Sequence, residues 1–322
     1  MKLLKLIPDN TNIKFLRWRV PFYAISLLLM AASLALVFTK GLNLGVDFVG
    51  GQSIRVTFAE ATAPVAQVRE EINALGYGEP IIQQVGEPNQ ITIRMKLPEV
   101  AEEGLAERMV RDMRQTLEQH HPGVQIGSAR AVSGKVSDEL FRSGMIALAL
   151  AMVGISIYIW VRFEWQFGVG ALFALAHDVT LTLGMFAITG MEFDLNIVAA
   201  ILTLIGYSLN DTIVIYDRIR ENLKKYRKMP LPELLDLSVN ETLSRTVVTS
   251  SSVLITLLAL LLLGPDVIFG FTAAITLGIF VGTYSSIYMA TPILIWLGVT
   301  QDSFVPTESR ADSQDRRARG EA

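Results

Sequence analysis

Cysteine is absent from the 322-residue chain, which excludes disulfides, thiolate metal sites and a cysteine nucleophile together. Histidine is scarce, with three in all. Two of these, His120 and His121, precede Pro122 at a predicted helix end, where a ring nitrogen caps free carbonyls. No metal site and no cofactor is expected. Charge is also thin. Charged residues make up 18% against 51% hydrophobic, and the formal net charge of −3 comes without a long basic block. That leaves no electrostatic footprint for nucleic acid, so no nucleic-acid partner is expected. The chain has no P-loop or other nucleotide motif, and it is not expected to be an enzyme.

What is present is long apolar runs. Residues 1–20 carry Lys2, Lys5, Lys14, Arg17 and Arg19 against Asp9, and 21–39 then gives a run of about the 20 residues needed to span a bilayer. No A-x-A cleavage pattern follows, so an uncleaved anchor is expected. Five further spans are predicted at 140–161, 167–190, 195–216, 245–263 and 268–296. Small residues Gly144, Ala147, Ala151 and Gly154 line the second span, and Gly278 and Gly282 stand in GxxxG register in the sixth, both patterns that let helices pack closely in lipid. Bases crowd 217–244, a predicted basic loop, and recur in the tail, 297–322, which reads as disordered; Gly190–Asp194 and Gly264–Val267 have none. This bias puts both termini in the cytoplasm and makes the protein multi-pass, with lipid as a partner.

Residues 40–137 are the one long polar stretch, on the far side of the first span. GQSIRVTF reads as a strand, followed by a helix over Pro64–Leu75, strands over Pro80–Val85 and Gln90–Lys96, a helix over Glu102–Gln119 and a last strand over Val124–Val132. The βαββαβ order predicts an α/β, ferredoxin-like periplasmic domain. Just before it, Gly45, Asp47, Phe48, Gly50 and Gly51 stand in GVDFVGG, where glycines permit tight turns. Alone, this reads equally as a linker turn capped by Asp47.

The polar residues inside the spans are fewer and more telling. Ile205–Asn222, IGYSLNDTIVIYDRIREN, sets Asn210 and Asp211 side by side in an apolar helix. A carboxylate at that depth costs several kcal/mol unless paired, protonated or wetted, so it marks a functional site. Thr203, Tyr207, Asn210 and Asp211 follow helical spacing and are expected to share one inward face. The third span carries His177 and Asp178, either a hydrogen-bonded structural carboxylate or part of a proton relay. The fifth opens with Arg245, which can snorkel to the cytoplasmic surface or pair with Asp211. With no nucleotide motif, an ion gradient is the expected energy source.

With GVDFVGG, LAHDV, IGYSLNDTIVIYDRIREN, TLSRTVVTS and GTYSSIY in this order, the chain closely resembles the SecF family, the smaller of the paired SecD and SecF subunits of bacterial protein export, related to the resistance-nodulation-division transporters. The resemblance implies six helices and one periplasmic domain in the bacterial inner membrane. Implied partners are SecD, which completes a twelve-helix unit, the SecYEG channel, YidC, YajC and unfolded preprotein on the periplasmic side. It implies that the proton-motive force drives preprotein translocation after the ATP-driven step, with Asp211 and Arg245 as proton-path groups and Asn210 beside them. Half of a proton-driven small-molecule exporter, or a scaffold of the channel, stand as alternatives.

A fragment over Gly50–Val132 encloses the whole βαββαβ pattern and is expected to fold alone as a small, marginally stable domain. Cooperative melting followed by circular dichroism checks this, and an unfolded fragment would mean that the domain needs its membrane helices.

Overall fold

The structure, a computed structural model, describes Pro8 and residues 11–85, 87–96 and 104–300. The expected helix start at Glu102 and most of the tail 297–322 lie outside them. The chain opens with a 3-10 turn, Phe15–Trp18, and α1, Arg19–Thr39. A short strand β1, Asn43–Leu44, and a single helical turn α2, Val46–Val49, lead into β2, Gly51–Thr57. Then come α3, Val65–Asn73, β3, Ile81–Gln84, β4, Gln90–Met95, α4, Leu105–His120, and β5, Gln125–Val132. The remaining elements are α5, Gly134–Arg162, α6, Trp165–Thr189, β6, Glu192–Phe193, α7, Leu195–Lys225, α8, Leu231–Leu263, α9, Phe269–Ser285, and α10, Thr291–Trp296. Among the described residues six helical segments are long and apolar enough to cross a membrane, α9 and α10 counting as one.

Strands β2 to β5 form one antiparallel sheet in the order β3-β4-β2-β5. Alternation turns Ile54, Val56, Ile91, Ile93 and Met95 to one face, where Val68 and Ile72 of α3 and Met109, Met113 and Leu117 of α4 cover them. His120 bonds back to the carbonyl of Thr116, whereas His121 is buried and pairs with Glu71 at 3.0 Å, tying α4 to α3 rather than capping. The other face of the sheet carries Ser53, Arg55, Gln83, Thr92 and Arg94 and stands over the outer ends of the membrane helices.

Two expected boundaries change. The stretch 217–244 is not a loop: α7 continues to Lys225 and α8 begins at Leu231, joined by a short connection ending in Pro230. Falling hydropathy marks where a helix leaves lipid, not where it stops. Here charged helix formers continue it, with Arg218 meeting Glu221 at 2.6 Å and Glu241 at 2.7 Å and Asn222 meeting Glu241 at 2.7 Å. The span 268–296 is not one regular helix either, because Ser286–Ala290 forms a π turn ahead of Pro292. Proline supplies no amide and crowds the carbonyl four residues back, so the ladder widens locally. Two carbonyls of this turn are met from other helices: Tyr23 of α1 donates to Met289 O, and Tyr216 of α7 to Ala290 O at 2.8 Å.

Glycine sets how closely the helices approach. A Cβ on Gly278 would lie 2.5 Å from Leu204 of α7, and one on Gly282 would lie 3.0 Å from Ser208 Cβ. On α5, by contrast, Gly144 faces Leu195 and Val198, while a Cβ on Gly154 would meet nothing and Ala147 is exposed. The second-span stripe is thus only partly packed within this chain.

The sheet domain sits at one end of the bundle and the α7–α8 hairpin at the other. Single cysteines at Gln67 and Lys225 are therefore expected to react with an impermeant thiol reagent from opposite sides of the membrane; labelling from one side would overturn the arrangement.

Candidate functional site

Helix α7 is fixed first at its outer end, where four backbone amides lack helical partners. Asp194 caps it, accepting from Ile197 N at 3.2 Å, and Asp47 of α2 accepts from Leu195 N at 3.1 Å. The glycine-rich stretch brings Asp47 there. Gly45 N donates to Phe193 O at 2.9 Å, β1 pairs in parallel with β6, and Phe48 packs its ring on Phe141 and Phe193. Gly51 has a φ of 114°, and a Cβ there would collide with the Met95 carbonyl, so the chain can turn into β2 here only without a side chain. Asp47 does not cap its own turn but holds the start of the helix that carries Asp211.

Deeper in the bundle the polar side chains form two clusters with α7 between them. In the first, His177 Nδ1 lies 2.9 Å from Asp178 Oδ1. The other carboxylate oxygen, Oδ2, accepts from Ser208 of α7 at 2.5 Å and Ser285 of α9 at 2.9 Å. Asp178 and His177 are both 0% exposed. The imidazole lies beside the ring of Tyr284, whose hydroxyl is 2.8 Å from Ser26 of α1. One turn along α7, Thr212 and Ser286 share a hydrogen bond of 3.0 Å. Charge-assisted bonds of this kind contribute about 1.5–3 kcal/mol each, enough together to hold a carboxyl group in an apolar interior.

The second cluster is sparser. Asp211 is 4% exposed and accepts from Ser250 of α8 at 3.4 Å. Ser250 also meets Thr283 of α9 at 2.8 Å and Tyr207 at 3.5 Å. Arg245 is on the same helix as Ser250 and is exposed. Its guanidinium makes no ion pair with Asp211 within 4.0 Å among the described residues, but its charge acts on that carboxylate. Arg245 and Asp211 are thus neighbours without direct contact.

The expected common face of α7 does not hold. Asp211 is buried and Tyr207 half-buried, but Thr203 and Asn210 are exposed. Consecutive helical residues differ by about 100°, and on α7 the edge of the buried arc falls between Asn210 and Asp211. Asn210 is exposed, as are Arg245, Thr249 and Ser252 of α8. Thr283 to Ser286 of α9 stand in the GTYSSIY motif, yet nothing in their spacing says that Ser285 meets Asp178 and Thr283 meets Ser250. Ser208 gave no separate signal inside its motif.

This is a polytopic helical membrane protein with one sheet domain outside the bundle and two carboxyl clusters inside it. The family model described as "Protein export membrane protein SecD/SecF, C-terminal" matches residues 112–300, and the "SecD/SecF GG Motif" matches 35–62, the stretch that anchors α7. The chain is 45% identical over 302 residues to the protein translocase subunit SecF of Cereibacter sphaeroides, covering 92% of this chain and 93% of that one. It is 38% identical to the SecF of Vibrio alginolyticus, covering 95% and 96%. The crystal structure of SecDF from Thermus thermophilus, a translocon-associated membrane protein, superposes with a TM-score of 0.81 at 36% identity, covering 91% of this chain. This chain spans 39% of the length of that one. The chain belongs to the SecD/SecF family.

The connection between α6 and α7 titrates outside the spans. Burial, reinforced by the Asp194 charge, raises the Glu192 pKa against the opposing charges of Arg94, Arg130 and Arg55. Burial and the Asp47 charge likewise raise that of Asp194. An acid whose folded pKa lies above its unfolded value adds stability below the unfolded value, about 4.3 for Glu, and loses it as pH rises through the folded one. The melting temperature is therefore expected to fall as pH rises through the window above 4.3, and Glu192→Gln to flatten that dependence. A variant as pH-sensitive as the parent in thermal unfolding would refute the assignment.

Proposed function

We propose that the chain is the SecF-type subunit of the accessory complex of Sec protein translocation and that, paired with SecD, it uses the proton-motive force to promote preprotein movement through the SecYEG channel. The observation that carries this reading is Asp211, buried mid-helix on a hydroxyl of α8 with the Arg245 charge near but not bonded. A carboxyl group held by one long hydrogen bond can gain and lose a proton with little rearrangement, and a change in its distance from Arg245 would alter which form is favoured. Asp178, with its donors fully engaged, serves as the structural counterpart, and His177 beside it offers a second proton site. Each charge that crosses the membrane supplies about 2.3 kcal/mol per 100 mV, enough to bias a conformational gap of that size.

The exposed side chains of Thr203, Asn210, Arg245, Thr249 and Ser252 support a SecD partner. Polar groups at bilayer depth face protein or water rather than lipid, and nothing among the described residues covers them. The solved SecDF chain, of which this one spans 39%, is long enough to contain such a cover. SecYEG, YidC and YajC are the wider partners in this reading. The bases of the α7–α8 hairpin support an inner-membrane protein with cytoplasmic termini and hairpin, which puts the sheet domain in the periplasm. Its strand order, β3-β4-β2-β5 with two helices on one face, supports the ferredoxin-like assignment.

Asp211→Asn keeps size and hydrogen bonding but cannot titrate. It is expected to insert and bind its partner normally while losing gradient-stimulated translocation in membrane vesicles. Arg245→Ala is expected to impair the same step, and Asp178→Asn to lower complex abundance instead. If Asp211→Asn vesicles respond to an imposed gradient as fully as the parent, the chain is a scaffold and not a coupling subunit.

A further inference from the structure

Arg94 has no part in either carboxyl cluster and gave no signal in the sequence, yet it is 6% exposed on the otherwise polar, helix-free face of the sheet. Its guanidinium reaches out of β4 to the segment that leaves α1. Nη1 donates to Leu44 O at 2.6 Å, and Nη2 donates to the Asn43 side chain and to Gln83 Oε1 at 3.1 Å. Asn43 and Gln83 then both donate to Gly190 O, the last carbonyl of the α6 terminus, at 2.9 and 2.7 Å. Asn43 and Leu44 are also the two residues that pair with Glu192 and Phe193, directly ahead of α7. Arg94 thus braces Asn43 and Gln83, the two side chains that bond the end of α6, and through β1 and β6 it is linked to the start of α7.

A cleft of about 350 Å³, lined among others by Ser53, Arg55, Thr92, Asn196 and Phe269, lies between the free face of the sheet and the helix ends. The ion pair of Arg130 with Asp194, 3.6 Å long and partly exposed, crosses at the side. Exposed pairs of this kind add little, about 0–1 kcal/mol. The buried, charge-assisted fork at Arg94 is the stronger attachment.

We propose that Arg94 is a positioning residue that couples the sheet domain to α6 and α7, so that displacement of the domain is passed to the helices that carry Asp178 and Asp211. A helix is stiff along its axis, and Asp211 lies about 24 Å below the start of α7 at 1.5 Å per residue. This inference rests on the proton-coupled reading above and adds the route by which work at the carboxylate reaches the domain.

The test uses the full chain in its complex with the SecD-type subunit. Spin labels on cysteines placed at Gln67 and Ile188 of the cysteine-free chain report the distance between domain and helix ends. The parent is expected to give one narrow distribution and Arg94→Gln a broad one. Arg94→Lys, which keeps the charge but lacks the fork, is expected to fall between them and serves if the Gln variant does not assemble. Gradient-stimulated translocation is expected to drop about fivefold or more in Arg94→Gln, while complex abundance and translocation without a gradient stay at parental level. A distribution as narrow as the parent's, or a broad one with the gradient response intact, overturns the proposal. Asp211→Asn is measured alongside. If it keeps the gradient response, the proton-coupled reading fails by itself, and the label distances alone then decide whether Arg94 fixes the domain.

Discussion

A carboxyl group cannot be left unmatched in an apolar interior, and the bundle is arranged around meeting that demand at Asp178. Two of its donors come from helices distant in sequence, Ser208 on α7 and Ser285 on α9, so α6, α7 and α9 must lie within hydrogen-bond reach at one level. Gly282 makes that possible: it stands against Ser208, and a Cβ there would also press on Asp178 at 3.4 Å. With those three helices fixed, α1 is drawn in through Ser26 and Tyr284, and the aromatic hydroxyls of Tyr23 and Tyr216 reach the carbonyls of Met289 and Ala290 in the π turn. Packing and polar satisfaction are one problem here, because lipid offers neither a hydrophobic driving force between helices nor a hydrogen bond.

Helix α7 belongs to every part of this arrangement. Its outer start is held by Asp47 and Asp194, its middle contributes Ser208 to one carboxyl cluster and Asp211 to the other, and its inner end continues past the apolar span to meet Glu241 through Asn222. The two clusters differ in kind. Asp178 has three close partners and is sealed, whereas Asp211 has one partner at 3.4 Å and a cation that does not touch it. A sealed carboxylate is a fixed point. A loosely held one has fewer bonds to break when its surroundings change.

Much of this was legible in the sequence. Six apolar runs, the basic bias of one end, the βαββαβ alternation and the oddity of Asp178 and Asp211 in apolar helices all follow from composition and period, because burial in lipid and in a sheet core each impose a repeat that a linear text displays. Helix ends were less legible at 217–244, where charge and hydropathy say when the chain leaves the membrane but helix propensity and the Asn222–Glu241 contact decide that it keeps its form. The inward face of α7 was misread at Asn210 for a simpler reason. Periodicity groups residues within an arc, and only the positions of α6, α8 and α9 decide where the edge of that arc falls.

The sequence by itself determined a membrane-spanning chain with intramembrane acids and a polar domain outside, since these depend on local composition and on repeats of two and 3.6 residues. Tertiary structure alone decided which hydroxyl meets which carboxylate, that Arg245 stands near Asp211 without pairing to it, and that Arg94 joins the sheet to α6 and α7. The hydrogen bonds among them link residues between 11 and 147 positions apart, and their geometry depends on how whole helices cross, which no local pattern encodes.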